Sequence, residues 1–153
     1  MSFWNGLIHN ELLMSALTSW FVAQVLKTLI HLWVNKKLVL ERLVGSGGMP
    51  SSHSATVCAL ATSAGIRYGA TSPAFAISAV LAVIVMYDAR GVRRETGKQA
   101  VVINEMIELF EKMNGEAPVE EKLKEFIGHS PLQVTMGAIL GVIVGVVFSL
   151  YIF

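Results

Sequence analysis

PLQVTMGAILGVIVGVVFSLYIF, residues 131–153, contains no charged side chain. As a helix it is long enough to cross a bilayer, whose hydrocarbon core of roughly 30 Å needs about 20 apolar residues. Gly137, Gly141 and Gly145 recur at four-residue spacing, so they share one face and permit close approach of another helix. The spacing leaves open whether that helix belongs to the same chain or to a second copy. Gly128-His129-Ser130-Pro131, just ahead, reads as a turn and then a helix start, since Ser caps exposed N–H groups and Pro is tolerated in a first turn.

Working outward from this run, the whole chain has the same character. Of 153 residues, 54% are hydrophobic and 15% charged, against about 25% charged in a soluble domain. The mean hydropathy of +0.59 agrees. Three further apolar stretches, at about 12–34, 51–68 and 72–87, are bounded by turn signals such as Gly45-Ser46-Gly47-Gly48 and Gly69 to Pro73. We therefore expect an all-α integral membrane helical bundle, a single domain over 1–153. It has about four transmembrane helices, the last at 131–152, and a charged cytoplasmic segment at 88–128. The N-terminus lacks a basic stretch and a small-residue cleavage site, so the first span is expected to be retained. The net charge of +1 gives no basic stripe, which argues against a nucleic-acid partner. Cys58, the single cysteine, lies in an apolar run and is read as packing.

Alternating spans would place the connections at 35–50 and 88–128 on one side. Lys36, Lys37, Arg42, Arg90, Arg93, Arg94, Lys98, Lys112, Lys122 and Lys124 gather there, and the positive-inside rule makes that side cytoplasmic. Lys112, Lys122 and Lys124, with neighbouring glutamates, read as solvated helix faces. The expected location is a bacterial plasma membrane, with any site formed by these connections facing the cytoplasm.

That side also holds the residues capable of chemistry. Gly47-Gly48-Met49-Pro50-Ser51-Ser52-His53 combines flexible backbone, hydroxyls and a helix N-terminus, a setting that favours phosphate. It is not a nucleotide P-loop, because the Gly-x-x-x-x-Gly-Lys-Ser/Thr order is absent. His53 adds a proton donor or acceptor effective near neutral pH, and His129 stands at the equivalent start of the last span. Gln24, Lys27, His31 and Asn35 form a polar stripe on the first span, where an ionisable group is costly unless it faces a cavity or partner. Asp88, Arg93 and Arg94 follow the third span directly. His9, His31, His53 and His129 show no paired ligand spacing, so no metal and no cofactor are expected.

Taken together, Gly-Gly-Met-Pro-Ser-Ser-His-Ser at 47–54, Tyr-Asp-Ala-Arg-Gly-Val-Arg-Arg at 87–94, Gly97-Lys98-Gln99-Ala100 and Gly-His-Ser-Pro-Leu-Gln-Val at 128–134 carry a resemblance. The chain resembles the divergent branch of the type 2 phosphatidic acid phosphatase superfamily, related to vanadium haloperoxidases and bacterial acid phosphatases. Pro50-Ser51-Ser52-His53 stands for the superfamily's Pro-Ser-Gly-His, which implies a phosphate-binding Ser and an acid His. His129, Pro131, Gly137, Ala138 and Gly141 match the setting of the superfamily nucleophile, which implies that role for His129. The chain departs from the pattern in three ways. Gln133 replaces the Asp that orients the nucleophile, no arginine occurs from Glu121 to Ile127, and the Lys-containing motif is represented by Lys27 alone.

The function implied is metal-independent hydrolysis of a lipid phosphomonoester through a phosphohistidine. His129, His53 and Asp88 are the expected catalytic residues, and Lys27, Ser51, Ser52, Arg93 and Arg94 the phosphate-binding ones. Expected partners are the lipid phosphate substrate and membrane lipid, with a homo-oligomer left open. The competing expectation, favoured by Gln133, is a non-catalytic membrane protein that binds anionic lipid headgroups or a partner through the same pocket.

Overall fold

The computed structural model of the protein describes residues 3–36, 48–114, 123 and 129–152. Six helices account for nearly all of these residues: α1 (Phe3–Ile8), α2 (Glu11–Asn35), α3 (Ser52–Tyr68), α4 (Pro73–Arg90), α5 (Val92–Asn114) and α6 (Pro131–Tyr151). Local chemistry sets their starts. Asn10, Ser51, Ser72 and Ser130 cap α2, α3, α4 and α6, each side-chain oxygen accepting a backbone N–H three residues on. Pro73 and Pro131 occupy first turns, where a missing N–H costs nothing. Gly69, with φ +82°, ends α3 in a conformation that disfavours other residues and lets the chain reverse into α4.

The helix order in space follows from side-chain contacts. Glu11 pairs with Arg67, Ser15 with Ser63, and Ser19 with the Ala55 carbonyl, so α2 and α3 are antiparallel. Phe75 lies against Gly65 and Met86 against Cys58, so α4 also runs opposite to α3. Gly137, Gly141 and Gly145 meet Ser51, Ala55 and Ala59 in that order, which makes α3 and α6 parallel. A Cβ on Gly137 or Gly141 would run into the Ser51 or Ala55 carbonyl oxygen. The glycine stripe therefore packs within the chain, against α3. As a result, α2 and α4 end where α3 and α6 begin.

The interior is built from small residues rather than large apolar ones. Ser15, Ser19, Ser51, Ser54 and Ser63 are fully buried, together with Ala23, Ala55, Ala59 and Ala64. Trp20, Phe21, Leu29, Trp33, Ile77, Val83 and Ile143 point outward. Water would penalise that arrangement heavily, whereas lipid tails accept the outer surface and small residues let the backbones pack closely. Three stretches are long and apolar enough to cross a membrane: Glu11–Asn35, Pro73–Met113, which includes α4, and Pro131–Tyr151. The protein is thus an all-α integral membrane protein. Helix α3, with 17 residues, spans about 26 Å and lies among α2, α4 and α6.

Helices α1 and α5 complete the set. The short α1 precedes the first long helix. Helix α5 occupies much of the charged segment but is not uniformly polar, because Val102, Met106, Leu109 and Met113 form an exposed apolar stripe. Its opposite face is buried through Ala100, Asn104 and Ile107. The Asn104 amide donates to the Leu123 carbonyl and accepts the Leu123 N–H, both at 2.9 Å. Lys112 is exposed as expected, while Lys122 and Lys124 lie outside the described residues.

Candidate functional site

Two backbone hydrogen bonds tie three helix ends together. The Ser51 N–H donates to the Gln133 carbonyl at 3.0 Å, and the His129 N–H donates to the Ala89 carbonyl at 3.1 Å. The start of α3, the end of α4 and the start of α6 consequently meet. His53 lies in the first turn of α3, and His129 lies one residue before the Ser130 cap of α6. Their ring centroids are 6.2 Å apart with planes at 61°. His129 is 4% exposed and His53 is half-buried.

The orientation of His129 follows from hydrogen-bond accounting. Gln133 Oε1 accepts the Ser130 N–H at 3.1 Å, and a backbone N–H can only donate, so the amide oxygen faces this side. The same oxygen lies 3.1 Å from His129 Nδ1. In the neutral imidazole Nδ1 then carries the proton, and the lone pair is on Nε2. Gln133 also completes a capping box, because its N–H is accepted by Ser130 Oγ at 3.3 Å. Sequence reasoning treats Gln133 only as a lost carboxylate. The Ser130-x-x-Gln133 capping pattern is the signal that indicates where its side chain turns.

The remaining predicted residues come from the start of α3, the end of α4, the interior of α2 and the start of α5. Ser51 is fully buried and commits its Oγ to the Ser54 N–H at 3.4 Å and the Ser54 hydroxyl at 3.1 Å. Ser52 is 4% exposed. Asp88 occupies the last turn of α4, next to the Ala89 carbonyl that holds His129. Lys27 is 2% exposed and donates to Gln24 Oε1 at 2.6 Å. It lines a cavity of about 160 Å³ with His31, Asn35 and the Gly48–Met49 turn that leads to Ser51. Arg93 and Arg94 belong to the first turn of α5, and their side chains lie outside the described residues. Among the described residues no three His, Cys, Asp or Glu side chains cluster to hold a metal ion.

A helical membrane bundle with a histidine pair where three helix ends meet is the class this geometry defines. Residues 8–144 match the family described as the Divergent PAP2 family, PAP2 being type 2 phosphatidic acid phosphatase, and the chain belongs to that family. It is 40% identical over 154 residues to a Bacillus subtilis (strain 168) protein described as "Uncharacterized membrane protein YuiD", covering 95% of this chain and 98% of that one. No solved structure matches it.

Proposed function

We propose that the protein is a lipid-phosphate phosphatase acting through a phosphohistidine. The observation that carries this reading is the pairing of His53 with an oriented His129. The Nε2 lone pair of His129 attacks phosphorus as the bond to the lipid oxygen breaks, while His53 delivers a proton to the departing alcohol. Water then attacks the phosphohistidine, His53 takes up its proton, the N–P bond breaks and phosphate leaves. No metal enters either step.

The supporting residues neutralise or hold the phosphoryl group. Lys27 brings a positive charge beside the Gly48–Met49 turn, and Arg93 and Arg94 add charge from the first turn of α5. Ser51 and Ser52, at the start of α3, hold phosphoryl oxygens with the N–H groups around them. Asp88 orients a histidine or an arginine. The segregation of cations in the connections at this end favours a cytoplasm-facing site in a bacterial plasma membrane. Such a site suits a phosphatidate-type lipid or phosphatidylglycerophosphate better than a polyprenyl diphosphate handled on the outer face.

The test is phosphate release from a panel of lipid phosphates by purified protein in chelator. Wild type should turn over at least one lipid, and His129→Ala should abolish release. Turnover unaffected by His129→Ala defeats the mechanism. Headgroup binding without any turnover would instead support a non-catalytic phosphate-binding role, the reading favoured by Gln133 standing in place of a carboxylate.

A further inference from the structure

Helix α5 carries three faces. With successive residues about 100° apart around the axis, Ala100, Asn104 and Ile107 form the buried face, and Lys98, Glu105 and Lys112 lie on an exposed polar one. Val102, Ile103, Met106, Leu109, Phe110 and Met113 fill the third, an apolar arc of about 120°. Each of these six side chains is 43–80% exposed. An exposed apolar patch of this extent marks a contact surface rather than scattered surface residues.

The course of the chain indicates what covers it. Only Gly91 separates α4 from α5, and backbone hydrogen bonds cross the junction, from the Gly91 N–H to the Tyr87 carbonyl at 2.8 Å and from the Glu95 N–H to the Gly91 carbonyl at 3.1 Å. Helix α4 turns Ile77, Val80, Val83, Ile84 and Tyr87 outward to lipid. Its 18 residues, about 27 Å long, already use most of a hydrocarbon core of roughly 30 Å. Helix α5 therefore begins at the membrane boundary. A straight course onward would carry its apolar arc into water, whereas a course along the boundary continues the lipid-covered surface of α4. The bilayer is always within reach of so short a tether, so this contact avoids the loss of freedom that a second copy or a soluble partner would impose.

We propose that α5 is an interfacial helix, lying in the headgroup region at the histidine end of the bundle with its apolar arc in the bilayer surface and its polar face in water. Its partner is lipid of any headgroup charge. Arg93, Arg94, Lys98 and Lys112 are matched in number by Glu95, Glu105, Glu108 and Glu111, so apolar area rather than attraction to anionic lipid holds the helix down. The attachment keeps the end of α4, with the Ala89 carbonyl that accepts the His129 N–H, at headgroup depth. Nothing in it depends on phosphate chemistry.

The test is nitroxide labelling of single cysteines in the full chain, in a Cys58→Ala background, reconstituted at one copy per phosphatidylcholine nanodisc. Labels at Met106→Cys and Leu109→Cys should collide more with oxygen than with a water-soluble nickel chelate, at depths of about 5–10 Å below the headgroup boundary. Labels at Glu105→Cys and Lys112→Cys should show the reverse. Adding phosphatidylglycerol or 1 M salt should leave both depths unchanged. Equal access of the nickel chelate to all four labels overturns the proposal, because α5 then stands in water. Shielding of the 106 and 109 labels only when several copies share a disc, with spin–spin broadening that unlabelled protein dilutes away, overturns it in favour of a second copy. Release of the helix by salt overturns the apolar attachment.

Discussion

His129 Nδ1 and Gln133 Oε1 lie 3.1 Å apart, and the oxygen is held in place by the Ser130 N–H. A carboxamide therefore orients the imidazole as a carboxylate would, but without stabilising a positive charge on it. Gln133→Leu should lower kcat by about 10²-fold, the lower end of what a correctly placed proton-handling group contributes, with little change in KM. Gln133→Glu keeps a side chain suited to the capping box and adds a negative charge that favours the imidazolium. His129 must be neutral to attack, so the acid limb of kcat/KM should move to higher pH in that variant. A pH profile superimposable on wild type would remove Gln133 from any role in orienting His129.

His53 is assigned the leaving-group proton, so the damage caused by removing it should depend on the leaving group. His53→Ala should reduce turnover of an alkyl phosphate by about 10²–10⁴-fold. The loss on p-nitrophenyl phosphate should be far smaller, because nitrophenolate departs without protonation. Steady-state rates on the two esters check this, and equal losses would mean that His53 does not act as the acid.

Much of this arrangement is legible in the sequence, but unevenly. Ser51, Ser72 and Ser130 announce helix starts because capping is local chemistry, and the glycine spacing gives the face of α6 that makes close contact. Periodicity does not name the neighbour, so only the structure assigns Gly137, Gly141 and Gly145 to α3. The two histidines stand out as residues, whereas their pairing depends on the Ser51–Gln133 and His129–Ala89 backbone bonds, which join segments far apart in the chain. Asn104 escapes notice for the same reason, since its partner Leu123 is nineteen residues away.

Substitutions in the α3–α6 contact should follow the contact geometry. At Gly141 an added Cβ meets the Ala55 backbone carbonyl, which cannot turn aside, and Gly141→Ala should destabilise by about 1–3 kcal/mol. Gly6→Ala, with nothing within 4 Å, should be nearly silent. Thermal unfolding in detergent distinguishes them, and equal midpoints would mean that α3 and α6 do not pack this closely.

The Asn104–Leu123 pair supplies a test of its own. Asn104 is 3% exposed and satisfies both the N–H and the carbonyl of Leu123. Asn104→Asp replaces the donating amide with a second oxygen, which faces the Leu123 carbonyl and repels it. Hydrogen exchange at the Leu123 amide should accelerate, while exchange within α3 and α6 stays as in wild type. Unchanged protection at Leu123 would show that Leu123 is held by contacts other than this pair.

At the far end of the bundle, Arg67 Nε lies 3.1 Å from Glu11 Oε2, with Glu11 6% exposed and Arg67 53% exposed. The asymmetry predicts unequal single-mutant effects. Arg67→Met leaves a carboxylate buried without its counter-charge, whereas Glu11→Gln leaves an arginine that can turn toward water. Arg67→Met should therefore lower the unfolding midpoint more than Glu11→Gln does. Adding Glu11→Gln to Arg67→Met should recover part of the loss, because the stranded charge is gone. Exposure of Arg67 weakens the pair itself through solvent screening, so the coupling in this double-mutant cycle should be modest, about 1 kcal/mol. Equal single-mutant losses that simply add would mean that the two side chains do not depend on each other.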